Sequence, residues 1–174
     1  MLASSLVEGH SLTDGTDASC APQGDGPDVP VLPPLVYVGA FLLAVGLELL
    51  VPTPRLPLPL GVTIGVLGLA TWLGLDPLAM WLFSKARTPV TPAAPATELV
   101  TGGPYRYSRN PMYLGMLILL ATAGLAFGVL WVLAFVPIVA LVVDRLIIRR
   151  EEEHLERQFG EQYRAYQADV RRWV

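Results

Sequence analysis

The chain has 174 residues, 53% of them hydrophobic, a formal net charge of -3 and a mean hydropathy of +0.50. That is too apolar for an ordinary water-soluble domain and too poor in positive charge for a nucleic-acid binder. The single cysteine, Cys20, excludes an intrachain disulfide framework and a cysteine-built metal site.

Residues 1–30 are rich in Gly, Pro, Ser and Asp and contain no Lys or Arg. They lack a periodic apolar face and are predicted to form a disordered acidic tail. With neither a basic start nor an apolar centre, they do not read as a signal peptide, so the first apolar helix serves as the membrane address. The rest, 31–174, is predicted to be one membrane domain.

Leu32 to Val51 is apolar except for Glu48, and long enough to cross a bilayer. Glu48 falls near one surface, where it can reach water. The proline-dense "PTPRLPLP" that follows is a turn. Leu60 to Phe83 is the second predicted span, with Gly61, Gly65 and Gly68 on a face that permits close helix packing. Asp76-Pro77 interrupts it. An ionisable residue inside a span invites a functional reading, so Asp76 either faces a substrate cavity or caps a helical break.

The run from Met112 to Val143 contains no charge. As one helix it would reach about 48 Å, against a hydrocarbon core of about 30 Å. A hairpin turning near Gly124 to Gly128 fits better, with the return helix continuing past Asp144 into "IIRREEEHLERQF". The predicted fold is therefore all-α, with about four transmembrane helices and a C-terminal amphipathic helix. Every basic residue except Arg55 falls between spans two and three or after span four. In a four-span arrangement those two regions share one side, which the positive-inside rule makes cytoplasmic, along with both chain ends.

Two polar segments thus meet at one membrane face. In "TGGPYRYSRNPMYLG", Asn110-Pro111 reads as a helix start, with Asn as cap and Pro at the first helical position. Such an end either is simply capped or receives a carboxylate or phosphate. Tyr105, Tyr107 and Tyr113 can anchor the interface or offer ring faces to a base or cation. In the tail, Glu151, Glu152 and Glu153 follow Arg149 and Arg150, as on a solvated charged helix or at a site for an amine, ribose hydroxyls or a sulfonium. Leu155, Phe159, Tyr163, Tyr166, Val170 and Trp173 form an apolar-aromatic stripe, which lies on the bilayer or folds over the polar site as a lid. Gly160 breaks it into two pieces. His10 and His154 stand alone and read as solvated.

Together, "LVTGGPYRYSRNPMYLG", an apolar hairpin and "EEEHLERQFGEQY" resemble the isoprenylcysteine carboxyl methyltransferase and phospholipid methyltransferase family of integral membrane enzymes. The resemblance covers about Arg87 to Trp173. It implies S-adenosylmethionine as cofactor, bound at the cytoplasmic end of the bundle without a metal. It places Thr97, Glu98, Leu99, Val100, Tyr105, Asn110, Pro111, Met112, Tyr113 and Glu151 at that cofactor. Asn110 stands where the better-known members have histidine. The implied reaction is methyl transfer to an apolar or membrane-associated carboxylate, amine or thiol, with the bilayer and a lipid or amphipathic acceptor as partners. A non-catalytic scaffold that keeps the fold is the alternative. A transporter is disfavoured, because the polar groups gather at one face.

Overall fold

A computed structural model of the chain describes residues 31–87 and 97–174. The acidic segment 1–30 lies outside the described residues. These are helical throughout their regular structure, with no strand among them.

Helix α1, Pro33–Leu50, opens on two prolines, tolerated there because the first N–H groups of a helix have no partner within it. At its far end Glu48 accepts hydrogen bonds from the Thr53 backbone N–H (2.6 Å) and hydroxyl (2.7 Å). The carboxylate, near one surface as expected, also fastens the turn. Helix α2, Leu58–Lys85, runs 28 residues without a break. The predicted interruption at Asp76-Pro77 does not occur. Pro77 lies inside the helix, which continues through it where α2 packs against α3.

Helix α3 is Pro111–Phe127 and α4 is Val132–Val143. They form the expected hairpin, turning at Gly128, whose φ of +73° suits glycine. The turn closes with Val129 N–H to Gly124 O at 2.8 Å and Gly128 N–H to Leu125 O at 3.3 Å, which satisfies two orphan carbonyls. The return helix continues through a π-helical turn, Asp144–Ile148, into α5, Arg149–Phe159. Gly160, at φ +50°, breaks the tail before α6, Glu161–Asp169.

A core of Tyr37, Ala40 and Ala44 from α1, Leu117 and Leu120 from α3, and Val132, Val139 and Val143 from α4 extends to Ile147 and Ile148. Helix α2 packs on another side of α3 through the predicted glycine face. A Cβ on Gly68 would fall 1.8 Å from Thr122 Oγ1, and one on Gly65 would fall 2.8 Å from the Ala126 Cβ.

The helices alternate in direction. Trp131 Nε1 donates to Val51 O at 2.9 Å, and Arg55 lies beside Gly128, so both turns sit at one end. The basic loop and the tail sit at the other. Helices α1 and α2 are each long and apolar enough to cross a bilayer, and only 22% and 11% of their most apolar windows are buried in the protein. That is the reverse of a soluble core helix. Leu42, Leu43, Leu67 and Leu69 face outward, suited to lipid. Helix α3 has 17 residues and α4 has 12, about 26 and 18 Å long.

Candidate active site

At the end of the bundle opposite Arg55, three segments converge: the C-terminus of α2 with residues 97–110, the start of α3, and α5 with the tail. The chain leaves α2 at Lys85, and Thr97 Oγ1 donates to the Arg87 carbonyl at 3.0 Å. Glu98, Leu99 and Val100 line a cavity of about 310 Å³ with Thr101, Gly102, Leu82, Lys85 and Ala86. A 3-10 turn, Gly103–Arg106, follows. Its Gly103 has φ +58° and lies so close to Leu82 that a Cβ there would be 2.8 Å from Leu82 Cδ1.

That turn seats Tyr105 inside the protein, its ring 5.6 Å from Phe83 on α2. Tyr166 of α6 donates to the Tyr105 carbonyl at 2.7 Å. The Tyr105 hydroxyl is pushed above its ordinary range, first by burial and then by Tyr166, Glu151 and Asp76. These two carboxylates therefore lie within its electrostatic reach.

Pro111 opens α3 and is fully buried, with Met112 partly buried beside it. Tyr113 connects the two motif blocks. Its hydroxyl donates to Glu151 Oε1 at 2.6 Å, and its carbonyl accepts from Tyr37 of α1 at 3.1 Å. The Glu151 carboxyl is raised to about 7, mainly because burial penalises its charge. The Tyr113 hydrogen bond opposes that shift, and Glu152 adds to it.

Asn110 is arranged differently from expectation. It holds the N-cap position, yet no side chain caps α3. Its Nδ2 donates instead to the Arg172 carbonyl at 3.0 Å, and its own N–H donates to Ser108 Oγ at 3.1 Å. The reason is the C-terminal strap, which brings carbonyls within reach. Ser108 Oγ also donates to Arg172 O at 3.3 Å, and Arg109 N–H donates to Arg171 O at 3.0 Å.

The strap is held by a charge network that the sequence reading missed. Arg172 makes a two-pronged bond to Glu152, with Nε at 3.1 Å, and reaches Asp144 Oδ1 at 3.1 Å. Arg109 reaches the same Glu152 at 3.1 Å. Asp144, the first charge after a long uncharged run, was the available signal. Within the aromatic stripe, Tyr163 is 2% exposed, Tyr166 bonds the Tyr105 carbonyl and Trp173 packs on the core. His154, expected in water, is buried, with Nε2 unpartnered, because α5 lies within the packed tail and not in solvent.

The family model for phospholipid methyltransferase matches residues 60–162, from α2 through α5. An uncharacterized protein of Haemophilus influenzae is 41% identical over 63 residues, 36% of this chain and all of that relative. No solved structure matches the chain.

Proposed function

The chain belongs to the phospholipid methyltransferase family, and we propose that it transfers a methyl group from S-adenosylmethionine to an apolar or membrane-associated acceptor at the basic end of its helical bundle. The observation that carries this reading is the Tyr113–Glu151 hydrogen bond. It joins two motif blocks 38 residues apart at one site, and the family match includes both.

The residues present fit the cofactor. Glu151 is a shielded carboxylate with one oxygen held by Tyr113, suited to an ammonium or ribose hydroxyls. Glu98, Leu99 and Val100 would border it along the cavity, and Thr97 would fix that segment to the end of α2. Tyr105 and Tyr113 bring aromatic surface, and Asn110, Pro111 and Met112 bring the start of α3, whose dipole favours a carboxylate. When bound, the cofactor supplies an activated methyl on a sulfonium; the protein aligns the acceptor and excludes water. Tyr166, bonded to the Tyr105 carbonyl, would hold the tail beside the site.

This reading takes residues 31–174 as one membrane domain with four crossings, and residues 87–173 as its cofactor-binding part. The π turn lengthens α4 enough to reach the surface, and the basic end faces the cytoplasm. The test is twofold. Detergent-purified protein should bind S-adenosylmethionine in calorimetry, and membranes incubated with methyl-labelled cofactor should yield a labelled, lipid-extractable product. Binding without transfer supports a scaffold that keeps the fold. Neither binding nor transfer overturns the proposal.

A further inference from the structure

Arg172 lies beyond residue 162, where the family match ends, yet it touches both halves of the candidate site. Its side chain faces α5 and the π turn. The guanidinium makes its two-pronged bond to Glu152, the residue after Glu151, and reaches Asp144 Oδ1 at 3.1 Å. Its carbonyl faces the start of α3, where Asn110 Nδ2 donates to it at 3.0 Å and Ser108 Oγ at 3.3 Å. One residue thus ties the half that carries Glu151 to the half that carries Asn110 and Tyr113. The Tyr113–Glu151 bond, at 2.6 Å, crosses between the same two elements and depends on their register. Charge adds to this. Glu152 is 8% exposed and stands next to Glu151, and its negative charge disfavours a second charge beside it. Arg172 and Arg109 both bind Glu152 and offset that charge. The other groups around Glu151 are Tyr113 from α3, which donates to it, and Tyr105 from the 3-10 turn. Tyr163 from α6 lies within reach of Glu152 and Arg109. A tyrosine carries no charge near neutrality, so among these groups the positive charge comes from the two arginines.

We propose that Arg172 is a positioning residue: by fastening Glu152 to the start of α3 it holds Glu151 in register with Tyr113 and offsets the negative charge next to it. The consequence for the reaction rests on the methyl-transfer reading above, in which Glu151 meets the cofactor. The clamp itself is a property of the chain without ligand. Without Arg172, the charge of Glu152 is matched by Arg109 alone. Glu151 then takes up its proton more readily, and a larger share of it is neutral when the cofactor arrives. Removing the charge of Glu152 loosens the same clamp but acts on Glu151 in the opposite direction. That opposition separates positioning by charge from simple packing of the tail.

The experiment follows melting temperature against pH for the full chain in detergent, in wild type, Arg172→Gln, Arg172→Lys and Glu152→Gln. Each is paired with the same protein carrying Glu151→Gln, so that the difference within a pair reports Glu151 alone. In wild type this difference is lost as pH rises to about 7, because the folded carboxyl holds its proton more tightly than the unfolded one. In Arg172→Gln the loss should come about half a pH unit or more higher. In Glu152→Gln it should come lower. Arg172→Lys keeps the charge and loses the fork, so it should melt earlier than wild type with its midpoint restored. Arg172→Met repeats the test if Arg172→Gln does not fold. Calorimetry with S-adenosylmethionine on the same proteins should show binding by Arg172→Gln weakened about threefold or more on the acid side, the factor that half a pH unit sets. An unshifted midpoint on loss of the Arg172 charge, or shifts in one direction for Arg172→Gln and Glu152→Gln, overturns the proposal. Midpoints that move as expected in a protein that binds no cofactor leave the clamp standing and overturn the methyl-transfer reading instead.

Discussion

Glu151 shows how a single residue's surroundings set its chemistry. Its carboxyl is raised to about 7, chiefly by burial, so near neutrality it is divided between charged and neutral forms. If the charged form holds a cationic or hydroxyl-bearing group of the cofactor, affinity should rise as pH increases through about 7. Thermal stability should move the other way. A carboxyl whose folded pKa lies above its unfolded value binds more protons when folded, so its contribution is full below about 4.5 and is lost as pH rises to about 7. Glu151→Gln should flatten both profiles and weaken cofactor binding by roughly ten- to hundredfold, the loss of a charge-assisted hydrogen bond of about 1.5–3 kcal/mol. Glu161 is exposed and pairs with Arg164 at the surface, so Glu161→Gln is the control. Equal losses at both positions in calorimetry would place the site elsewhere. The motif resemblance singled out both Glu151 and Tyr113 in the sequence. Their pairing was not legible. Tyr113 and Glu151 are separated by an entire hairpin, and spacing alone does not fix which helix faces meet.

Among the elements, α2 and α3 are held together by what glycine lacks. Gly68→Ala puts a Cβ where Thr122 stands, whereas a Cβ on Gly61 would meet Ala126 O at an ordinary 3.4 Å. Gly68→Ala should therefore destabilise the protein by about 1–3 kcal/mol, and Gly61→Ala by much less. Melting temperatures in detergent measure the difference. The glycine face was readable because close helix approach leaves a small-residue pattern. The strap was not, since two arginines near the end of a tail look like solvated charge until Asp144 and Glu152 are seen beside them. Its grip predicts coupling. Asn110→Leu removes the bond to the Arg172 carbonyl, and Arg172→Ala removes the side-chain bonds that hold the same segment. Each should lower the melting temperature, and the double variant should lose less than the two losses added, because one strap is released only once. Full additivity would mean that the two sets of bonds act independently.

At the scale of the whole molecule, charge is divided between the two ends. One end holds Glu48 and Arg55, and the other holds the basic loop and the tail. The hydrophobic runs made α1, α2 and the hairpin legible, and the distribution of arginines made the shared face legible. The unbroken course of α2 through Pro77 was not, because a proline signal is overridden by packing that sequence spacing does not reveal. The proposed orientation rests on the same charge distribution and is open to direct measurement. In a Cys20→Ser background, a single cysteine replaces exposed Pro54 in the α1–α2 turn or exposed Gly102 beside the cavity. Gly102 has φ -87° and open space where a Cβ would go, so cysteine is accommodated there without strain. With the basic end cytoplasmic, a membrane-impermeant thiol reagent added to intact cells should label Pro54→Cys. It should label Gly102→Cys only after the membrane is permeabilised. The reverse pattern would put the candidate site on the outer face, away from the cytoplasmic supply of S-adenosylmethionine. Labelling of both positions in intact cells would mean that α2 does not cross the membrane at all.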